Sequence, residues 1–348
     1  MRSPAPVPSQ ELAVRVPWHR VRTRLGKVRS RPLVSGLDLF YLAYLGPLRL
    51  MAAVLPPRAF LAVTRPLTAA YRATQGRRIE TLRRVMEKAL PECDSSVVRS
   101  YAVKNVEGFA ERALEDLVRR RLIHSPDQAS VEGEDLLRQA LAEGRGLILF
   151  SGHFYGSRAG RVHLERYLGL RLRAVRRGLP PPRNVGRFGR RFLQPSYDRL
   201  LSHWLGDEIL LRDRRDAPLQ LLRALRENGI VNTQLDAIDS RDVWKVRFFH
   251  DDRLFPGGLL DLVRVTGAPL AQVDFLSDGA GQVRVRFHER TRLEHVEDRD
   301  EFIARNLPRL VAQLEATIRA DPDQWEGWGE FDRMIAPREL GSERSTDA

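Results

Sequence analysis

The pattern of apolar and polar positions predicts strands that alternate with helices over most of this chain. A short apolar run, Leu147–Phe150, is bounded by glycines and is typical of a buried strand. Further strands are predicted at residues 171–176, 230–235, 270–276 and 283–287, and helices at residues 131–144, 162–167, 187–204, 218–228 and 259–266. Alternating strands and helices indicate an α/β fold with a largely parallel sheet that is flanked by helices.

A hairpin and further helices are also predicted. The last two strands are joined by Asp278-Gly279-Ala280-Gly281, which favours a hairpin and therefore makes the sheet mixed. A final helix is predicted over residues 301–320, and two earlier helices are predicted over Ile79–Leu90 and Val97–Arg121. We assign residues 77–336 to one α/β domain and residues 337–348 to a disordered tail.

The first 76 residues differ from this domain in composition. Residues 1–35 contain eight arginines and lysines, five prolines and a single acid, Glu11, which is typical of a flexible basic arm. The apolar stretch Leu39–Leu55 follows, and it is shorter than the roughly 20 apolar residues of a spanning helix. Its aromatic residues and basic flank favour an amphipathic helix on a membrane surface, so residues 36–76 are predicted to associate with a membrane. The alternative is a helix that packs on the protein's own core.

The overall charge favours acidic partners. The 348 residues include 58 Lys and Arg against 45 Asp and Glu, a net charge of +13, which attracts anionic lipid, phosphorylated substrates, nucleic acid or an acidic carrier protein. No recognisable nucleic-acid-binding module accompanies this charge, so a nucleic-acid partner is not expected. The single cysteine, Cys93, excludes an intramolecular disulfide. Neither metal-ligand spacing nor a phosphate-cradling glycine loop is found, so no cofactor is predicted.

The loop after the Leu147–Phe150 strand presents His153. In an open α/β sheet, ligands bind beyond the carboxyl ends of the strands, so a histidine there is a candidate general base. A hydrogen-bonded structural histidine is the alternative. Asp236 follows the predicted 230–235 strand and is a second candidate site residue, the alternative being an aspartate that caps a turn.

Four further residues are candidate substrate-binding groups. Arg176 and Arg177 lie at the end of the predicted 171–176 strand, and their planar guanidinium groups suit phosphate oxygens. A solvated basic face is the other interpretation. Gly257 and Gly258 would let the backbone approach a ligand, but they follow a proline, and Pro-Gly-Gly is also an ordinary turn.

Three aromatic or imidazole side chains are expected to have structural roles. Trp325 and Trp328 are predicted to lie in the core, the alternative being an aromatic pair at a membrane interface. His163 falls on a predicted helix and is expected at the surface.

Taken together, these segments resemble the lysophospholipid acyltransferase superfamily, specifically its late lipid A biosynthesis (lauroyl or myristoyl) acyltransferases and related glycolipid acyltransferases. The resemblance extends from about Leu39 to Met334 and rests on six blocks in the family's order. The blocks are Leu147–His153, Val175–Pro180, Val231–Asp236, Val246–Phe249 with Phe255–Gly258, Thr266–Leu270 and Pro322–Trp325.

The resemblance implies a reaction and a location. A histidine, here His153, would take the proton from a hydroxyl of a glycolipid or lysophospholipid, which attacks the thioester of acyl carrier protein or coenzyme A. Backbone N–H groups around Gly152 or Gly156, or an arginine, would stabilise the oxyanion. The family resemblance also implies anionic membrane lipid as a partner and a peripheral or single-pass position on the cytoplasmic face of a bacterial inner membrane.

One position departs from the family pattern. The family has an Asp or Glu five residues after the histidine, whereas this chain has Arg158, which cannot orient an imidazole in the same way. Three explanations are open: another acid substitutes, with Asp236 and Glu165 as the first candidates; His153 acts alone; or the protein is an inactive relative that binds lipid or serves as a scaffold. Arg158 and Gly152 are retained as candidate substrate-binding residues.

Overall fold

The computed structural model describes residues 11–16, 32–176, 185–202, 208–210, 216–237, 242–279 and 281–334. The strands are β1 Val14–Val16, β2 Ala129–Glu132, β3 Leu147–Ser151, β4 Leu172–Arg176, β5 Glu208–Leu210, β6 Ile230–Gln234, β7 Val243–Phe248, β8 Asp251–Pro256, β9 Leu270–Gly279 and β10 Gln282–Arg290. The helices are α1 Gly36–Ala43, α2 Arg49–Val54, α3 Pro57–Thr74, α4 Gly76–Ala89, α5 Ser95–Leu122, α6 Glu134–Ala142, α7 Ser157–Leu168, α8 Gln194–Ser202, α9 Asp216–Arg226, α10 Gly258–Thr266 and α11 Arg299–Ala320.

Within the described residues, the main sheet has seven strands in the order β2-β10-β9-β3-β6-β4-β5. Strands β9 and β10 pair antiparallel, and the other neighbours in this order run parallel. The predicted α/β fold with a mixed, largely parallel sheet is therefore confirmed, and so is the predicted hairpin. Strand β3 is flanked by β9 and β6 and is buried along its whole length, which explains its continuous apolar run.

Alternate side chains of β3 enter two different cores. Ile148 and Phe150 pack with residues of α4, α5, α10 and α11. Leu147 and Leu149 pack on the opposite face, with residues of α6 and α7. Because side chains alternate across a strand, this division shows that helices cover both faces of the sheet. The loop with His153 lies between β3 and α7 and is anchored by both.

A smaller sheet corrects two sequence predictions. Its described strands have the order β1-β7-β8 and pair antiparallel. No strand was predicted in the region of β7 and β8. The predicted flexible arm is wrong for Val14–Val16, because these residues pair with the edge of β7 and Arg15 also hydrogen-bonds Asp242 and Asp300. The remainder of the arm, residues 1–10 and 17–31, lies outside the described residues.

Other boundaries also differ from the predictions. The predicted helix at 131–144 is wrong at its start, because Val131 and Glu132 belong to β2 and the helix begins only after Gly133, whose φ is +73°. Helix α3 falls within residues 36–76, the segment predicted to be helical and associated with a membrane. In the predicted helix at 187–204, a π-helical turn, Gly189–Leu193, precedes α8. The predicted disordered tail lies outside the described residues.

The segment predicted to associate with a membrane is helical. Helices α1 and α2 are joined by a π-helical turn, Tyr44–Leu48, which contains Pro47. A proline inside a helix removes a backbone donor, which accounts for the irregular turn. No helix in the described part of the chain combines the length and the apolar character needed to cross a membrane.

Candidate active site

The parallel pairing of β3 and β6 places two candidate residues side by side. The register runs from Leu147 opposite Ile230 to Ser151 opposite Gln234. His153 and Asp236 each lie two residues beyond these last partners, so both are at the carboxyl edge of the sheet. The N–H of Leu235 donates to the Ser151 carbonyl at 2.9 Å, which continues the pairing toward the two side chains. This edge is where ligands bind in open α/β sheets.

His153 and Asp236 form a hydrogen-bonded pair. The distance from His153 Nδ1 to Asp236 Oδ1 is 2.6 Å. The other carboxylate oxygen, Oδ2, accepts the backbone N–H of His153 at 2.9 Å and the Nε1–H of Trp325 at 2.7 Å. Because an ionised carboxylate only accepts hydrogen bonds, this contact assigns the proton of the neutral ring to Nδ1 and leaves Nε2 as an acceptor.

Charge and hydrogen bonds favour the ionised form of Asp236 despite its burial. The Asp236 side chain is 2% exposed, whereas that of His153 is 40% exposed. Burial by itself raises the pKa of Asp236, but the charge of His153 and the hydrogen bonds from His153 and Trp325 outweigh it and lower that pKa. The pair therefore consists of a fixed anion inside the protein and an imidazole that solvent can reach.

A segment near the end of the described chain holds the histidine loop in place. Phe154 forms an isolated antiparallel bridge with Trp325. The N–H of Glu326 donates to the His153 carbonyl at 2.8 Å, and the N–H of Tyr155 donates to the Gln324 carbonyl at 3.2 Å. The block Pro322–Trp325, singled out in the sequence, thus lies directly against the His153 loop.

Arg158 is paired with an acid that the sequence analysis did not single out. It lies in the first turn of α7, and its guanidinium contacts the carboxylate of Asp116 on α5. Asp116 is buried and also accepts the Nε–H of Arg119 at 2.9 Å. Burial raises the pKa of Asp116, but the charges of Arg158 and Arg119 outweigh this effect and lower it. The arginine at the family's acid position therefore binds a partner of its own.

The same charge cluster reaches the segment beside His153. Arg112 on α5 forms an ion pair with Glu326, whose backbone binds the His153 carbonyl. Burial and, second to it, the positive charge of Arg158 lower the pKa of Arg112 to about 10. The charge of Arg158 therefore acts on Arg112, which in turn is paired with the segment that binds the histidine loop.

Two residues on α7 behave differently from what the sequence suggested. Glu165 is exposed and makes no hydrogen bond to His153 within the described residues, so it is not the substitute acid. The predicted surface position of His163 is wrong, because the residue is 2% exposed and its ring packs against Tyr167. It shares the buried face of α7 with Ala159 and Leu164. Burial lowers the pKa of the His163 imidazole.

Both glycines of the histidine loop allow close packing. A Cβ at Gly152 would lie 2.8 Å from Leu314, and one at Gly156 would lie 2.6 Å from the backbone of Leu276. A side chain therefore does not fit at Gly156, and at Gly152 it would require neighbouring side chains to move. Whether the two N–H groups also stabilise an oxyanion stays a prediction.

The other substrate-binding candidates lie elsewhere or are only partly described. A Cβ at Gly257 would lie 2.5 Å from Trp244, and the space around Gly258 is open. Neither glycine has the His153–Asp236 pair among its nearest neighbours, which agrees with the ordinary-turn interpretation. The backbone of Arg176 ends β4 beside β6, at the edge of the sheet that holds the pair. Arg177 lies outside the described residues.

A polar cavity of about 220 Å³ is lined in part by residues of the histidine loop and of the segment that contacts it. Tyr155 and Gln324 contribute to its wall, together with acidic side chains that include Glu111 and Asp278. His153 does not line it, and its charged wall suits a polar group rather than an acyl chain. In the described parts of the chain, no group of three or more His, Cys, Asp or Glu residues is placed to hold a metal ion.

No protein-family model matches this sequence, and no curated protein matches it. The resemblance to the acyltransferase superfamily stays a prediction that rests on the six sequence blocks. A functional conclusion therefore depends on the geometry of the His153–Asp236 pair.

Proposed function

We propose that this protein is an O-acyltransferase that moves a fatty acyl chain from a thioester to a lipid hydroxyl at a membrane surface. The donor class is acyl carrier protein or coenzyme A, and the acceptor class is a glycolipid or lysophospholipid. The observation that carries the proposal is the pairing of His153 Nδ1 with buried Asp236 at 2.6 Å at the carboxyl edge of the sheet. This contact assigns the ring proton to Nδ1, so Nε2 of a partly exposed imidazole can accept a proton.

The chemistry follows from that arrangement. Nε2 of His153 takes the proton of the acceptor hydroxyl while its oxygen forms a bond to the thioester carbonyl carbon. Asp236 stabilises the imidazolium that results. When the tetrahedral intermediate collapses, the carbon–sulfur bond breaks and the thiolate receives the proton from His153. The products are an ester and a free thiol, and the imidazole returns to its neutral form.

The oxyanion of the tetrahedral intermediate requires hydrogen-bond donors that are not already bound to another acceptor. Several backbone N–H groups next to His153 are bound in this way. The N–H of His153 donates to Asp236, that of Phe154 donates to the Gly152 carbonyl, and that of Tyr155 donates to the Gln324 carbonyl. These three groups are therefore committed. The N–H groups of Gly152 and Gly156, or an arginine side chain, are the remaining candidates from the sequence analysis.

The helices before the α/β domain support a membrane surface as the place of reaction. Exposed apolar side chains recur at helical spacing, with Leu39 and Leu42 on α1, Leu50 and Val54 on α2, and Val63 and Leu67 on α3. Helices that expose apolar side chains at this spacing are typical of lipid contact.

Charge in the same helices agrees with anionic lipid. Arg49, Arg58 and Arg65 are exposed there. The only acid in the sequence between residues 33 and 74 is Asp38, which is buried and caps α1 with Ser35. An apolar surface with arginines and no exposed carboxylate is attracted to an anionic bilayer.

Arg158 supports the second candidate function, an inactive relative that binds lipid or acts as a scaffold. Its position departs from the family's histidine–acid motif, and its guanidinium is occupied by Asp116. Against this candidate stands Asp236, which provides the imidazole with an acid from a different strand.

An acylation assay tests the two candidates. Purified protein is incubated with acyl carrier protein or coenzyme A thioesters and with glycolipid or lysophospholipid acceptors, and the thiol and acylated lipid are quantified. We expect transfer by the native chain, loss of at least about 10²-fold in His153→Ala, and retention in His288→Ala. His288 is a suitable control because its Nε2 lies 2.6 Å from another buried aspartate, Asp274.

Two outcomes would contradict the proposal. Transfer that survives in His153→Ala would remove His153 as the base. Absence of transfer with every donor and acceptor, in protein that still binds anionic vesicles, would favour the inactive relative.

Membrane contact is tested by vesicle flotation. The double variant Leu50→Asp, Val54→Asp places two charges on the exposed face of α2, and we expect it to lose most of its binding to vesicles that contain anionic phospholipid. Leu219→Asp is the control, since Leu219 is equally exposed but lies on α9 in the α/β domain. Equal binding by the native chain and the double variant would exclude α2 as a lipid contact.

A further inference from the structure

The carboxylate of Asp236 receives a third hydrogen bond, from Trp325, which the sequence analysis predicted to lie in the core. Trp325 donates its indole Nε1–H to Oδ2 at 2.7 Å. The same oxygen accepts the backbone N–H of His153, whereas Oδ1 accepts from the imidazole. The two oxygens therefore have different partners. Oδ2 accepts hydrogen bonds from the Trp325 indole and the His153 backbone, and Oδ1 accepts one from the His153 ring.

The Trp325 ring is itself fixed. It is fully buried and makes edge-to-face contacts with Trp328 and Phe248, at centroid distances of 4.9 and 5.9 Å. A Cβ at Gly327 would lie 2.1 Å from the indole, so only glycine fits beside it. The side-chain amide of Asn105 donates to the Trp325 carbonyl at 2.8 Å, which holds the backbone as well.

This arrangement exceeds what packing requires. A buried indole N–H needs an acceptor, but a main-chain carbonyl would suffice, as it does for Trp328, which donates to the Pro322 carbonyl at 2.6 Å. The Trp325 N–H instead reaches a buried carboxylate that already binds the candidate base. A donor on a rigid ring restricts rotation of that carboxylate and stabilises its charge.

We propose that Trp325 is a positioning residue that acts through Asp236: its indole N–H fixes the carboxylate so that Oδ1 holds the Nδ1 proton of His153 and Nε2 stays available to the acceptor hydroxyl. This inference rests on the proposed function. Trp325 contacts neither substrate nor donor in this role. Its effect falls on the proton-transfer step, because the same carboxylate must stabilise the imidazolium as it forms.

The pair of tryptophans supplies a matched test. Trp325→Phe and Trp328→Phe each remove one indole N–H from the same aromatic cluster, so the two variants are expected to lose similar thermal stability. We expect Trp325→Phe to lower kcat by about 10- to 100-fold with little change in KM, as is usual when a supporting hydrogen bond is removed. Trp328→Phe is expected to keep kcat within about threefold once stability is matched.

The pH–rate profile separates positioning from packing. In Trp325→Phe a less firmly held carboxylate stabilises the imidazolium less, so the acidic limb of the kcat profile moves to lower pH. The profile of Trp328→Phe keeps the native position. Equal losses of kcat in the two variants, or an unmoved limb in Trp325→Phe, would overturn the inference.

A second replacement guards against a folding defect. Site-specific incorporation of 3-benzothienylalanine at position 325 preserves the bicyclic shape and replaces only the N–H by sulfur. We expect it to lower kcat as Trp325→Phe does while the melting temperature stays near that of the native chain. Native kcat in this protein would show that the N–H has no positioning role.

A measurement without turnover distinguishes this inference from the proposed function. In ¹⁵N-histidine spectra assigned with His153→Gln, the native His153 ring should occupy the Nδ1–H tautomer near neutral pH. Trp325→Phe should mix the two tautomers, and Trp328→Phe should not. If the native protein transfers no acyl group but the tautomers respond in this way, the proposed function fails and the positioning contact stands. An unchanged tautomer in Trp325→Phe would refute the positioning role itself.

Discussion

Within the described residues, two histidine–aspartate pairs lie in the main sheet or at its edge, each with a ring nitrogen 2.6 Å from a buried carboxylate. His153 and Asp236 lie beyond the carboxyl ends of parallel strands β3 and β6. His288 and Asp274 lie inside antiparallel strands β10 and β9. The distances are equal, but the surroundings are not.

The two rings use opposite nitrogens. His153 binds its acid through Nδ1, which leaves Nε2, the nitrogen farther from the backbone, as the acceptor. His288 binds through Nε2, which leaves only Nδ1, close to its own main chain. Asp274 is further held by Gln272 and by Thr317 of α11, so this second pair fastens a strand to a helix. A histidine–aspartate contact therefore indicates chemistry only when the strand ends and the free nitrogen also favour it.

The largest effect is expected at Asp236. Asp236→Asn keeps the shape of the side chain but removes the charge that stabilises the imidazolium, so kcat should fall by about 10²- to 10⁴-fold. Steady-state acylation of the lipid acceptor measures it. A fall of less than tenfold, in protein with native thermal stability, would contradict the role of Asp236.

A smaller change, in stability rather than activity, is expected at Arg158. Arg158→Met removes one partner of buried Asp116 but leaves Arg119, so the free energy of unfolding should drop by about 2–3 kcal/mol, less than for a buried acid left alone. Chemical denaturation measures the loss. The kcat should stay within about tenfold of native, since Asp236 already serves His153. A drop of 100-fold in a folded protein would instead give Arg158 a direct role in the site.

Substitution in the His288–Asp274 pair should reduce stability and leave activity unchanged, unlike substitution of Asp236. Asp274→Asn disturbs hydrogen bonds to His288, Gln272 and Thr317, so we expect a loss of about 1–3 kcal/mol in the free energy of unfolding. Acylation should be unchanged when compared below the unfolding range. Loss of kcat without loss of stability would instead indicate that the Asp274–His288 pair takes part in the reaction.

The smallest effect concerns the pH dependence of stability. The pKa of Asp236 is lower in the folded protein than its ordinary value of 3.8. The resulting stabilisation is therefore fully present above that value and disappears as the pH falls through the lower folded pKa. In denaturation experiments, the difference in stability between the native chain and Asp236→Asn should shrink as the pH falls below about 4. A difference that grows below about pH 4 would have the wrong sign.

Much of the fold was predictable because its periodicity is strong. The β3 run and the β9–β10 hairpin each show a clear local pattern. The strands β7 and β8 were missed because charged residues such as Asp251 and Asp252 obscure their apolar positions. Strand β1 is defined by its pairing with a distant segment, which no local pattern contains.

The site was predictable in part for the same reason. His153 and Asp236 each follow a buried strand, and parallel pairing of those strands is enough to bring them together. The contacts of Trp325 with Asp236 and of Arg158 with Asp116 join distant parts of the chain. Their residue types are common in cores and on helix surfaces, so composition and spacing gave no signal for either contact.

The position of Trp325 has a consequence for biosynthesis. It lies 89 residues after Asp236 in the chain, so a ribosome will have extruded both members of the pair well before it makes the indole that anchors them. In a nascent chain, the carboxylate of Asp236 can therefore bind His153 before it receives the hydrogen bond from Trp325. If Trp325 positions this carboxylate as proposed, full activity would be reached only after the segment that contains Trp325 has docked.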